Sequence, residues 1–276
     1  MTVFATLQMC STADMAQNMA TIGTLVRSAA AQGAQVVSLP EAANILLKDQ
    51  MAYPRLCLPE AEDKTLSLCM ALAAESGIWL HTGSLLLRTE DGNRVWNRSH
   101  IISPEGRIVA RYDKLHTFDV ALGGAGDFIE SRAVAPGERG AVMCDAAGHR
   151  LGLAICYDLR FPYLFRALAA AGAGVLMIPA SFSPVTGPLH WETLLKARAI
   201  ETGSYVVAAA QCGVRDGVAT YGHSRIISPM GEVLAAAGEE PTVSLAQIDP
   251  QQVLDARRRL PVLSQTRAIG EVSYAQ

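Results

Sequence analysis

Ile101-Ile102-Ser103-Pro104-Glu105-Gly106-Arg107-Ile108-Val109 and, farther along, Ile226-Ile227-Ser228-Pro229-Met230-Gly231-Glu232-Val233-Leu234 decide the fold. Each reads as two strands joined by a Ser-Pro-x-Gly turn, with proline at the second position and glycine closing it. Upstream, Gly33-Ala34-Gln35-Val36-Val37-Ser38-Leu39-Pro40 parallels Gly172-Ala173-Gly174-Val175-Leu176-Met177-Ile178-Pro179. One such match would mean little, because these turns are common. Two in the same order indicate an internal duplication. Each half then reads strand, helix, strand ending in proline, helix, strand, hairpin. Continuous Val/Leu strands alternating with helices argue for an α/β class with covered sheets. The duplication predicts two similar sheets in one pseudo-symmetric domain spanning residues 1–276, with a C-terminal arm from about residue 257.

Individual elements follow from the same patterning. Val3 to Met9 is a β-like run. Asp14 is placed to cap a helix with apolar positions Met15, Met19, Ile22, Leu25 and Val26, which Gly33 stops. A second helix is expected from about Glu60 to Ser76, and a strand from Ile78 to Leu87. Lys114 to Gly148 has weak periodicity and a Gly-rich loop at 122–127, and a loop of that length inside a domain is usually functional.

Composition narrows the classes. The chain has 276 residues, 50% hydrophobic and only 18% charged, so a large core is expected and disorder is not. Its 23 basic and 26 acidic residues give a net charge of −3, without the basic stripe of a nucleic-acid binder. No membrane span is expected: Ala167 to Phe182 is broken by Pro179 and falls short of the roughly 20 apolar residues required. Met1 to Met19 lacks a basic leader and carries Asp14, so it does not read as a signal peptide. Cys10, Cys57, Cys69, Cys144, Cys156 and Cys212 form no dense framework, which suits a reducing, cytoplasmic setting.

Leu151 to Ile155 reads as a buried strand delivering Cys156 at its C-terminal end, where ligands of α/β sheets gather. The following Tyr157-Asp158-Leu159-Arg160 leads to a helix starting near Phe161-Pro162. Nearby helix N–H groups favour a thiolate and can hold an oxyanion. A lone cysteine is more often plain core, but Asp158 and Arg160 are poor core material. A base for the thiol could come from any of His81, His100, His116, His149, His190 and His223, or from Glu41 after Leu39-Pro40. Glu41 by itself suits a helix first turn, and Lys114 by itself reads as a surface lysine. No metal-binding spacing occurs among the histidines, and no metal or cofactor is expected.

Taken together, these segments resemble the nitrilase superfamily of carbon–nitrogen hydrolases over nearly the whole chain. Glu41 stands in its glutamate motif, Lys114 in Tyr112-Asp113-Lys114-Leu115-His116, and Cys156 in Gly152-Leu153-Ala154-Ile155-Cys156-Tyr157-Asp158. Glu130 in Phe128-Ile129-Glu130-Ser131 matches a second glutamate of the family. The resemblance implies a four-layer α-β-β-α sandwich. It is nearest to the Nit branch through Thr186-Gly187-Pro188-Leu189-His190-Trp191-Glu192, while Ala197 to Glu201 and then Tyr205 to Gly213 look like the deaminated-glutathione amidases in particular. Nitrilases proper carry Cys-Trp-Glu where this chain has Cys156-Tyr157-Asp158, so nitrile hydrolysis is disfavoured. The family's Leu-x-Asp after the lysine here reads Thr117-Phe118-Asp119.

The implied chemistry is hydrolysis of a primary amide to a carboxylate and ammonia through a Cys156 thioester, on deaminated glutathione. An ω-amidase acting on α-ketoglutaramate is the alternative. Within the resemblance, Glu41 is the base, Lys114 and the Tyr157 N–H steady the oxyanion, and Glu130 orients Lys114 or interacts with the incoming amide. Anionic substrates need a further cation, and Arg160 is the candidate, with Thr186 and His190 as polar contacts. Against this, Arg160 could pair with Asp158, and His190 could serve helix N-terminal packing. Outside hydrolases, a fold-retaining scaffold or a cysteine redox protein would suit parts of the pattern. A homodimer or larger assembly is also implied, through the helices after Cys156 and after His190.

Overall fold

Alternate residues of the first strand, Thr2–Gln8, enter different apolar layers, as the two-residue period of a strand requires. Ala5 and Leu7 join Ile22, Val26, Leu66 and Leu72 from two helices, while Phe4 turns the other way. There it meets His149 of the second half edge-on, with ring centroids 5.3 Å apart. This computed structural model describes residues 1–121 and 128–274, so the Gly-rich segment 122–127 lies outside the described residues.

Among the described residues the first sheet has eight strands and the second has six. In the first, Thr2–Gln8, Val36–Ser38 and Trp79–His81 run parallel, and Val95–Ile102 and Ile108–Asp113 continue antiparallel. In the second, His149–Leu153, Val175–Met177 and Tyr205–Ala208 run parallel, and Arg225–Ile227 and Val233–Ala236 continue antiparallel. Helices Met15–Ala31 and Lys64–Ser76 cover the first sheet, and Pro162–Ala170 and Gly187–Thr202 cover the second. The result is the expected α-β-β-α sandwich.

The duplication extends to single hydrogen bonds. Ser103 N–H donates to Arg107 O at 2.8 Å and Gly106 N–H to Ser103 O at 2.9 Å. In the other half Ser228 N–H donates to Glu232 O at 2.8 Å and Gly231 N–H to Ser228 O at 2.9 Å. Both hairpins shift register at the same place, between Ile101 and Ile102 and between Ile226 and Ile227. Gly106 and Gly231 both hold positive φ, +72° and +86°, and both lie against a helix of their own half.

Several elements depart from the sequence reading. The expected helix from Glu60 is split: Glu60–Glu62 is a separate turn, and Asp63 starts the helix by accepting from Leu66 N–H at 2.7 Å. The weakly periodic region contains short strands, among them Val134–Ala135 and Met143–Ala146, and the turn Glu130–Arg132. The final helix, Pro250–Arg259, takes in Arg257, whose guanidinium donates to Thr202 O and Ala173 O. The apolar stretch Ala167–Phe182 divides between the end of a helix and the strand Val175–Met177. No described helix is long and apolar enough to cross a membrane.

The expected strand Ile78–Leu87 is broken into Trp79–His81 and Leu85–Arg88. Gly83 lies between them at φ +61°, and a Cβ there would sit 2.1 Å from Pro40 O. The bare glycine thus lets this segment press against the backbone that carries Glu41. Gly83→Ala should cost about 2 kcal/mol or more, because strain and overlap with main chain add. Urea unfolding would show it as a lower midpoint, and an unchanged midpoint would contradict the close approach.

Candidate active site

The strand Val36–Ser38 ends at Leu39-Pro40 and presents Glu41, which is buried, at the C-terminal edge of the sheet. Its main-chain carbonyl accepts from Gln211 Nε2 at 2.9 Å. Lys114 follows the strand Ile108–Asp113 and is pinned by its backbone: Lys114 N–H donates to Asn97 O at 3.0 Å, and Lys114 O accepts from Gly137 N–H at 2.8 Å. Its ammonium reaches Glu41 Oε1 at 2.8 Å and the two Glu130 oxygens at 3.0 and 2.9 Å. Glu130, from the turn Glu130–Arg132, also accepts from Phe118 N–H at 2.5 Å.

Cys156 opens the turn Cys156–Arg160 and holds φ at +46°, a left-handed conformation uncommon outside glycine. Its N–H donates to Pro179 O at 2.8 Å. Asp158 anchors the turn from inside. It is fully buried and accepts from Ile155 N–H at 2.9 Å, Tyr112 Oη at 2.6 Å and His116 N–H at 3.1 Å, with His116 Nδ1 at 2.6 Å. Such strain persists where the surroundings over-determine it, as it does at functional sites.

Electrostatics separate the ionisable groups. Burial alone would raise the Glu41 carboxyl, but the charge and hydrogen bond of Lys114, with the bond from Asn97, hold it below its ordinary value. Burial raises Glu130, and the neighbouring Glu41 charge adds to this against the pull of Lys114. The Cys156 thiol is pushed well up by burial and by the Glu41 charge, outweighing Lys114. Burial opposes the Lys114 charge, yet the two carboxylates keep it firmly protonated. The resting arrangement sets a neutral thiol and an ionised carboxylate at one cavity, the pair of groups that a cysteine nucleophile and its base would require.

These groups lie at a cavity of about 490 Å³, a size typical of small-molecule sites. Glu41, Lys114, Glu130, Cys156, Tyr157, Arg160 and Thr186 all line it. His190 does not; its Nδ1 lies 3.1 Å from Arg160 Nη1 and acts on the cavity through that side chain. The Asp158–Arg160 ion pair is not formed: Asp158 turns inward, while Arg160 points out to His190 and, at 3.4 Å, to Thr186 Oγ1. The Arg160 guanidinium also stands over the Tyr157 and Phe182 rings, 5.9 and 5.4 Å from their centroids.

Sequence reasoning missed Asn97, Ser181 and Tyr112, and weighed His116 only as a base for the thiol. Asn97 Nδ2 donates to Glu41 Oε1 at 2.9 Å and faces Glu130 Oε1 at 3.4 Å. Ser181 N–H donates to Glu41 Oε2 at 2.7 Å. Tyr112 and His116 buttress Asp158 from the lysine strand. Only these last two had a local signal, since they flank Lys114 at two-residue spacing on either side.

A family model described as carbon-nitrogen hydrolase matches residues 4–258. The deaminated glutathione amidase of Homo sapiens is 42% identical over 267 residues, covering 95% of this chain and 81% of that protein. The omega-amidase NIT2 of Homo sapiens is 35% identical over 271 residues, covering 96% and 94%. Among solved structures, the C. elegans NitFhit protein has a TM-score of 0.90 at 35% identity, over 96% of this chain and 65% of that longer one. With the family matched across almost its whole length, the chain belongs to the carbon–nitrogen hydrolases of the nitrilase superfamily.

Proposed function

We propose that this hydrolase cleaves the amide of deaminated glutathione through a thioester on Cys156. The observation that carries the reading is the gathering of Cys156, Glu41 and Lys114 at one cavity, with the Lys114 ammonium 2.8 Å from the Glu41 carboxylate that it keeps ionised. The 42% identity to a deaminated glutathione amidase supports the substrate, as does Arg160, a cation at the cavity wall.

Glu41 takes the Sγ proton as sulfur attacks the amide carbon, and the carbonyl π electrons move to oxygen. As Glu41 becomes neutral, Lys114 exchanges one counter-anion for another, the new oxyanion, with little reorganisation. The Tyr157 N–H assists there. Glu41 then returns the proton to the departing nitrogen, the C–N bond breaks, and the thioester remains. Water enters, loses a proton to Glu41 and attacks the thioester; the C–S bond breaks and sulfur regains the proton. Glu130 holds Lys114 in place throughout.

The expectation of a primary amide and ammonia needs correcting for this substrate: the scissile amide of deaminated glutathione is secondary and its departing nitrogen is that of cysteinylglycine, whereas the primary amide α-ketoglutaramate releases ammonia. Both substrates leave the same 2-oxoglutaryl thioester. Arg160 anchors the carboxylate of that acyl part. Six unpaired cysteines support a reducing, cytoplasmic setting. Exposed Tyr163, Leu189 and Ile200 on the helices Pro162–Ala170 and Gly187–Thr202 support assembly as a homodimer through those helices.

Cys156→Ala should abolish cysteinylglycine release, by at least about a thousandfold, while circular dichroism stays that of the parent. Turnover near the parent's would defeat the reading. Arg160→Ala should lower kcat/KM for the 2-oxo acid amides by about tenfold or more and spare uncharged amides, which steady-state kinetics on both would check. The thiol's resting state is open to direct measurement. The thiolate absorbance of the parent minus that of Cys156→Ser should stay flat up to the ordinary thiol value of 9.0, and a step below it would exclude a neutral ground state.

A further inference from the structure

Among the described residues, and outside the cluster of Glu41, Lys114 and Glu130, the charged side chains lining the cavity are Lys48 and Arg160, both cations. Neither forms an ion pair among the described residues. They belong to different segments of the chain. Arg160 belongs to the nucleophile turn and is half-buried between Tyr157 and Phe182. Lys48 belongs to the segment before the turn Gln50–Ala52 and is exposed at the rim. Its aliphatic stem lies along Gly217, where a Cβ would sit 3.2 Å from Lys48 Cδ. Gly217 joins the strands Cys212–Arg215 and Val218–Tyr221, so a bare glycine supports the lysine stem at the cavity mouth.

Deaminated glutathione carries a carboxylate at each end. The one on the 2-oxo acyl part is close to the scissile carbon, and the glycine one is farther away, on the leaving dipeptide. The inner cation, next to the nucleophile, matches the near carboxylate; the outer one remains for the far carboxylate. We propose that Lys48 binds the terminal carboxylate of the leaving group and so selects the dipeptide amide over the primary amide. This rests on the substrate reading above. α-Ketoglutaramate has no second carboxylate, so Lys48 has nothing to hold in it. Because the far carboxylate takes no part in bond making, its contact lowers KM and leaves kcat to the inner residues.

The test measures kcat/KM of the parent, Lys48→Met and Lys48→Arg on three substrates. These are deaminated glutathione, the same molecule with its glycine carboxylate capped as an amide, and α-ketoglutaramate. Lys48→Met should lower the ratio of kcat/KM for deaminated glutathione to that for α-ketoglutaramate by about fivefold, the scale of an exposed ion pair. The loss should appear in KM, shrink at high salt, be restored by Lys48→Arg, and be absent on the capped substrate. An unchanged ratio, or an equal loss on the capped substrate, overturns the role of Lys48 alone. Failure of the parent itself to release cysteinylglycine overturns the substrate reading and this inference together.

Discussion

A buried ammonium shared between two buried carboxylates is the constraint around which the rest is arranged. Lys114 is 2% exposed, and a charge in that position costs several kcal/mol unless it is paired and hydrogen-bonded. One cation facing two carboxylates leaves an excess of negative charge, which neutral donors must meet. Asn97 Nδ2, Ser181 N–H and Phe118 N–H do so from three separate segments. Ser181 follows the second sheet and Glu41 the first, so their bond at 2.7 Å can exist only when the two sheets are correctly stacked. Charge satisfaction at the site and assembly of the sandwich are thus one requirement. The same imbalance lets Glu41 remain an ionised base beside a thiol that stays neutral.

The fold was legible where its signals are local. A Ser-Pro-x-Gly turn contains its own proline and glycine, and Asp14 caps the next residues in the chain, accepting from Ala16 and Gln17 N–H. Legibility failed where a distant backbone intervenes. The break at Gly83 exists because Pro40 O approaches it, and Asp63 divides a helical pattern that periodicity carries straight through. At the site, the motifs around Glu41, Lys114 and Cys156 located three side chains that the cavity brings together. Lys114 taken singly looked like a surface residue, because only Glu41 and Glu130, remote in the chain, make its burial tolerable. Asn97 left no signal at all, its partners being Glu41 and Glu130. The adjacent Asp158 and Arg160 suggested an ion pair; the tight turn points them in opposite directions, one into a buried hydrogen-bond net and the other at the cavity.

The matched halves of the chain have an asymmetric outcome. Phe4 stands opposite Val36 as Leu151 stands opposite Val175, so counting forward aligns Met9 with Cys156 and Glu41 with Ala180. Past the equivalent hairpins, Lys114 aligns with Glu239. A thioether has no proton to give, a methyl group is no base, and a carboxylate reverses the sign of an ammonium. Met9 is sealed in the core, and Glu239 lines a separate cleft of about 310 Å³ with Cys10 and Cys212. The repeated frame therefore holds one candidate reaction centre and one silent echo of it, each half having kept the parts that the other lacks.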